Sequence, residues 1–123
     1  MQDLSPEAQA DQFLIKMLYD GHLGWKFGPN QTFSYDRYID DYGYQVAGVS
    51  QYGQDDNIGL FGSSTAWGWG IHKQEDTLHA KLFKALKKPI INFSCVSYNI
   101  FKIYAQMQVL DIMGLLPKKN IVY

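Results

Sequence analysis

The amino-acid sequence predicts an α/β fold built on an open parallel sheet, and three observations carry that expectation. Ile58-Gly59-Leu60-Phe61, Ile90-Ile91-Asn92-Phe93 and Asn120-Ile121-Val122-Tyr123 are short apolar runs of the kind found in strands buried on both faces. Two segments of helical period separate them, one from Glu75 to Lys87 and one after Asn99. The chain has 123 residues, 46% hydrophobic and 19% charged, which suits one folded core and leaves no room for a second. Strand, helix, strand, helix, strand implies right-handed parallel crossovers, and ligands of such sheets bind beyond the carboxyl ends of the strands.

Taken in order, Ser5-Pro6-Glu7 reads as a helix start: a hydroxyl cap, a proline at the first helical position and an acid near the positive end of the dipole. Leu14, Ile15, Met17 and Leu18 extend an apolar face, predicting a helix over 6–19 that ends near Asp20-Gly21. Residues 22–54 are rich in aromatic rings and broken by Gly24, Gly28, Gly43, Gly48 and Gly53, which predicts short strands or irregular loops packed over the edge or mouth of the sheet. The chain thus divides into a helix and aromatic extension, 1–54, and an α/β portion, 55–123. Within the latter, Leu78, Leu82, Ala85 and Leu86 form the apolar side of the first crossover helix, with His79, Lys81, Lys84 and Lys88 opposite, and Pro89 stops it. Asn99 can cap the second helix, where Ile100, Ile103, Tyr104, Met107 and Leu110 recur at helical intervals up to Gly114.

Composition removes several classes of function. Eleven basic and twelve acidic residues leave a formal charge of -1 and no basic patch for a phosphate backbone, so nucleic acid is not an expected partner. Cys95 is the single cysteine, and no His/Cys cluster has zinc-ligand spacing, so neither a disulfide nor a metal is expected. The acids Asp36, Asp40, Asp41, Asp55 and Asp56 suit turns and caps and lack the spacing of a calcium loop. No run approaches a membrane span, and Met1 to Glu7 lacks the basic and then apolar order of a secretory leader, which points to the cytoplasm if Met1 is the true start. Gly68-Trp69-Gly70 lacks the third glycine of a dinucleotide loop, and Gly62 is followed five positions on by Trp67 where a phosphate loop needs glycine, so no cofactor is expected.

The serine stretch fits another pattern. Gly62-Ser63-Ser64-Thr65-Ala66-Trp67-Gly68, after an apolar strand, resembles the G-D-S-x-T-x-G block that opens the SGNH (GDSL-like) hydrolases. Asn92-Phe93-Ser94-Cys95-Val96-Ser97 looks like the N-x-G-x-x-G second block, and the likeness spans roughly 57–123. Leu23-Gly24-Trp25 and Asp40-Asp41-Tyr42-Gly43-Tyr44 are loosely similar to an extension that precedes the first block in some members. The resemblance implies a three-layer parallel sheet of SGNH or flavodoxin-like type and an esterase or acyl hydrolase activity.

It also implies roles. Ser64 stands at the nucleophile position and would need a general base, because a serine hydroxyl is a weak nucleophile at neutral pH. The N–H groups of Ser64 and Ser97 match two oxyanion-hole donors, each worth on the order of 3 kcal/mol. The family's third donor, an asparagine after the third strand, and its base, a histidine in a late D-x-x-H block, have no counterpart in the 123 residues. Ser63 stands where the family has an acid, and Ser97 where it has a glycine. The expectation is therefore an N-terminal portion of such an enzyme, inactive by itself, whose substrate is a small-molecule or carbohydrate ester. The alternative is a non-catalytic α/β homologue, or a small-ligand or anion-binding module using the same loop. His22, His72 and His79 are expected to serve packing or surface roles.

Overall fold

The computed structural model describes residues 6–13, 15–20, 24–117 and 119–123. Helix α1 covers Pro6–Phe13, and the chain then extends into strand β1, Met17–Asp20, paired antiparallel with β2, Gly24–Phe27. The expected helix over 6–19 is thus corrected: its first half is helical, and Met17 and Leu18 belong to a hairpin strand. Met17 reaches the core from that strand, beside Ile15 and Phe27, so tertiary packing overrides the local helical period. Ser5, Leu14 and His22 lie outside the described residues.

The aromatic segment forms short strands, as its turn residues suggest. After β1 and β2 comes a second hairpin of β3, Gln31–Phe33, and β4, Arg37–Ile39, with Phe33 opposite Arg37. Strand β5, Gln45–Ala47, then joins the main sheet. Its partner is β7, Ile90–Asn92, and the two run antiparallel. Strand β7 pairs in parallel with β6, Ile58–Leu60, which pairs in parallel with β8, Ile121–Val122. The order β5-β7-β6-β8 is therefore that of a mixed sheet. The fold class is α/β, with the three apolar runs parallel as the crossover pattern requires. The edge strand β5 is contributed by residues that the sequence assigns to the extension.

The pleat divides the strand residues between two clusters. Ile58, Leu60 and Ile90 share one face with Leu78 and Leu82 of helix α3, Leu78–Leu86. Phe61, Ile91 and Phe93 share the other with Ile103 and Leu110 of helix α4, Ile100–Ile112, and with Phe27, Phe33 and Ile39 from the hairpins. Gly59 lies on this second face, where an added Cβ would meet the Phe61 and Phe93 rings and Pro117 at 3.1–3.3 Å.

Asn99 caps α4 as the sequence suggests, while α3, expected from Glu75, starts at Leu78 behind a Thr77 cap, and the faces of both helices differ from expectation. Thr77 accepts the Ala80 N–H at 3.3 Å and donates to the Gln74 carbonyl at 2.7 Å, fixing the start of α3 after a 3₁₀ turn at Gln74–Asp76. Asn99 accepts the Lys102 N–H at 3.0 Å at the start of α4. His79, expected on the polar side of α3, is fully buried, while Ala85 and Leu86 are exposed. The first turn of α3 packs against the sheet, and its last turn rides clear of it. On α4 the inward residues are Ile103, Gln106 and Leu110, and Ile100, Phe101 and Tyr104 face outward.

Replacing Thr77 with alanine is expected to lower stability by about 1 to 2 kcal/mol in urea unfolding, and Thr77→Ser by less than half as much, because serine keeps the capping oxygen.

Candidate functional site

Strands β6 and β7 end side by side, and the loops that follow them stay in contact. The Phe93 N–H donates to the Leu60 carbonyl at 2.8 Å, and the Cys95 N–H to the Gly62 carbonyl at 3.3 Å. From Gly62 the chain turns at once into the short helix α2, Ser64–Trp67. That reversal needs glycine: a Cβ at position 62 would stand 2.6 Å from the Ala66 Cβ.

Ser64, half-buried, begins α2, and Ser97, exposed, lies in the loop after β7. Ser97 has a φ of +66°, a left-handed conformation that glycine adopts freely and serine does not. Among the described residues, the N–H groups of Ser64 and Ser97 have no acceptor. The structure brings the two serine-bearing loops to the same end of two adjacent parallel strands.

Neighbouring nucleophiles are disarmed by burial. Cys95 is 3% exposed, and burial pushes its thiol up to about 12, a reluctant thiolate at neutral pH. The Ser94 hydroxyl is buried and donates to Asn92 Oδ1. Ser63, Ser64 and Thr65 at the start of α2 all keep partial or full exposure, and Ser64 is the first residue of the helix.

His79 is the buried histidine nearest in chain to this site, and its nitrogens are committed. Asn92 Oδ1 accepts from the N–H and the hydroxyl of Ser94, which orients the amide so that Nδ2 donates to the Ala66 carbonyl at 2.9 Å and to His79 Nδ1 at 3.0 Å. Nδ1 therefore accepts, and the neutral ring carries its proton on Nε2, 3.0 Å from the Gln74 amide. Turning that amide so that Oε1 faces Nε2 satisfies both groups, since Gln74 Oε1 is otherwise buried without a partner. Burial, helped by the charge of Arg37, lowers the His79 pKa to about 3. His79 is a neutral strut between α3, β7 and α2, with no nitrogen left for Ser64. His72 is half-buried, with its ring 5.6 Å from that of Tyr35.

No family model, curated protein or solved structure matches the chain. The site therefore stands on its own geometry. Among the described residues no group of His, Cys, Asp and Glu could hold a metal ion, and no helix is long and apolar enough to cross a membrane.

What sequence reasoning missed is the clamp behind α2. Arg37 is fully buried and donates to main-chain carbonyls of the glycine-rich turn: Nη1 to Gly68 at 2.5 Å and Ile71 at 3.0 Å, and Nη2 to Trp67 at 2.7 Å. Nη2 also donates to Gln45 Oε1 at 2.6 Å, while Gln45 Nε2 donates to the Trp67 carbonyl at 3.0 Å. The guanidinium carbon sits 4.8 Å from the ring centroids of both Phe33 and Trp67. Burial lowers the Arg37 pKa to about 9 and Asp36 pulls it back up, so the group stays charged at neutral pH. Gln12 of α1 completes the clamp, donating to the Ile71 carbonyl at 2.9 Å and accepting the Gly70 N–H at 2.6 Å. The one signal for Arg37 was strand parity: in β4 it shares its side with the buried Ile39.

Arg37→Met is expected to cost about 1 to 3 kcal/mol in urea unfolding, because it leaves Gln45 Oε1 buried without its donor and takes one of two donors from the Trp67, Gly68 and Ile71 carbonyls, and Arg37→Lys a smaller amount. His79 binds a proton more readily in the unfolded chain, near 6.5, than in the fold, near 3. Its contribution is thus complete above about pH 6.5 and is lost as pH falls toward 3, by up to about 1.4 kcal/mol per pH unit. Urea midpoints across pH 7 to 4 should show that slope in the native chain and a shallower one in His79→Gln.

Proposed function

We propose that this chain carries the nucleophile end of an SGNH-type esterase or acyl hydrolase, with Ser64 as nucleophile and the N–H groups of Ser64 and Ser97 as oxyanion donors. The observation that carries the reading is that the loops after β6 and β7, which touch through the Cys95 N–H and the Gly62 carbonyl, each bring a serine N–H that has no acceptor among the described residues, Ser64 with a partly exposed hydroxyl. The left-handed backbone at Ser97 supports it as well, since the resemblance puts a glycine at that position. Apolar clusters on both faces of the sheet, one with α3 and one with α4, are what a three-layer arrangement needs, although the antiparallel β5 departs from an all-parallel SGNH or flavodoxin-like sheet.

In this reading Ser64 Oγ attacks the ester carbonyl carbon while its proton passes to a base. The carbonyl oxygen, now negative, takes hydrogen bonds from the two N–H groups, and collapse expels the alcohol to leave an acyl serine. His79 is not that base, because it is committed on both nitrogens. An acyl ester of a carbohydrate is the proposed substrate. Trp25, Tyr35, Tyr38 and Tyr42 leave ring surface exposed, and such rings stack on sugars while their polar tips hydrogen-bond.

One observation favours a second reading, a non-catalytic module that holds an anion at the same loop: among the described residues no hydrogen bond joins the Ser64 hydroxyl to a base, and His79 is committed on both nitrogens. Acylation by p-nitrophenyl acetate, followed by peptide mass spectrometry, separates the two. With free imidazole supplied as the missing base, the esterase reading expects the acetyl group to accumulate on Ser64 ahead of the other serines and to disappear in Ser64→Ala. Acetylation scattered over exposed lysines and tyrosines, with Ser64 unmodified, would overturn it.

A further inference from the structure

Gln106, Val109, Leu110 and Met113 follow one face of α4, and with Leu115 they line a pocket of about 160 Å³. The chain reaches Leu115 through Gly114, at a φ of +73°, and the Leu115 N–H closes the turn on the Leu110 carbonyl at 2.9 Å. Tyr42 and Tyr44 line the same pocket from the turn at Asp40, whose carboxylate takes their N–H groups at 3.0 and 3.1 Å. That turn is pressed against β2, where a Cβ at Gly43 would stand 2.6 Å from the Phe27 carbonyl oxygen. Lys26 of β2 and Asp41 add the charged part of the lining.

Gln106 is the polar residue on the inward stripe of α4, between Ile103 and Leu110, and it is 1% exposed. Its Nε2 donates to the Phe93 carbonyl at 2.7 Å, which fixes the amide, since the reverse orientation would set Oε1 against that oxygen. Oε1 is therefore an acceptor, buried without a donor among the described residues. Burying an acceptor that has no donor is costly, so a glutamine in an apolar stripe, on the lining of a pocket, calls for one.

We propose that this pocket binds a small neutral aromatic alcohol, a single-ring phenol, whose hydroxyl donates to Gln106 Oε1. The volume is near the roughly 150 Å³ of a cavity that holds one benzene ring. Val109, Leu110, Met113 and Leu115 give the ring apolar contact, and Tyr44 adds an aromatic one. One buried acceptor matches one donor, whereas a sugar of similar size would set several further hydroxyls against the aliphatic side chains. Tyr42 and Met113, 45% and 58% exposed, form the rim, and the unbranched Met113 side chain yields as the ring enters. The site is independent of the esterase reading, because Val109 lies roughly 15 Å along α4 from Asn99, the cap that follows the Ser97 loop.

Amide-resolved NMR titration of the chain tests this, with phenol and anisole as probes from about 0.05 to 5 mM. Phenol should give saturable shifts at residues 42–44 and 106–115, and anisole, the same ring without a donor, should bind about tenfold more weakly. Gln106→Met keeps the volume and removes the acceptor, so it should bring phenol down to the level of anisole. Val109→Phe, which fills the pocket, should abolish saturation by both. Dispersed amide spectra check that each variant is folded, and where Gln106→Met is not, the native ratio of the two probes decides. Anisole binding as tightly as phenol in the native chain, as it would if Oε1 served only a water, overturns the proposal. So do a lack of saturable shifts at these residues, a phenol preference that survives in folded Gln106→Met, and saturation that persists in folded Val109→Phe.

Discussion

The charge of Arg37, held in a fully buried site, is the constraint around which the rest of the molecule is arranged. A guanidinium taken from water loses several kcal/mol of solvation unless its donors are met. Here the Nη1 and Nη2 donors are met by the main-chain carbonyls of Trp67, Gly68 and Ile71 and by the side chain of Gln45, while Nε is buried without a partner among the described residues. Those carbonyls can converge because the chain doubles back at Gly68, whose φ is +93° and whose missing Cβ leaves room 2.9 Å from Nη2. The glycines of the Trp67-Gly68-Trp69-Gly70 turn thus serve a cation of the protein itself.

That clamp settles where α2 lies, and α2 carries Ser64. On one side of the helix are Arg37 and Gln45, which bind its last carbonyl at Trp67. On the other is Asn92 at the end of β7, which binds the Ala66 carbonyl and passes the contact to His79. The Trp67 ring is stacked against Phe27 at 4.9 Å and Phe33 at 5.3 Å, so both hairpins press on the same helix. A four-residue helix has little stability of its own. Its position is imposed by three buried polar side chains and two rings from distant parts of the chain, a rigid seat for a hydroxyl at a strand end.

The hairpins are consequently part of the core. Asp40 shows how the aromatic segment holds its shape: its carboxylate accepts the Tyr42 and Tyr44 N–H groups and the Tyr52 hydroxyl, whose pKa is pushed up by burial and by this bond. The turn so formed sends Tyr44 to the edge of the Phe93 ring and brings β5 alongside β7. The boundary near residue 54 that composition suggests is crossed by a sheet ladder, because an apolar strand with an open side gains more from a partner than from solvent.

By itself the sequence determined the features that depend on neighbours in the chain: the three apolar strands, the Asn99 cap, the turns at glycine, and the places of Ser64 and Ser97 just after two of those strands. Those rest on local dihedral preference and on apolar period, which short windows contain. Only the tertiary structure decided that Met17 and Leu18 leave the helix, that His79 turns inward, that α4 faces the core through Ile103 and Leu110, and that Arg37 is the centre of the glycine-rich turn. His79 depends on Asn92, 13 residues away, and Arg37 on Ile71, 34 residues away, and no local window contains both members of either pair. Burying a polar group is favourable only after its partners have converged, so the fold has to exist before the preference does.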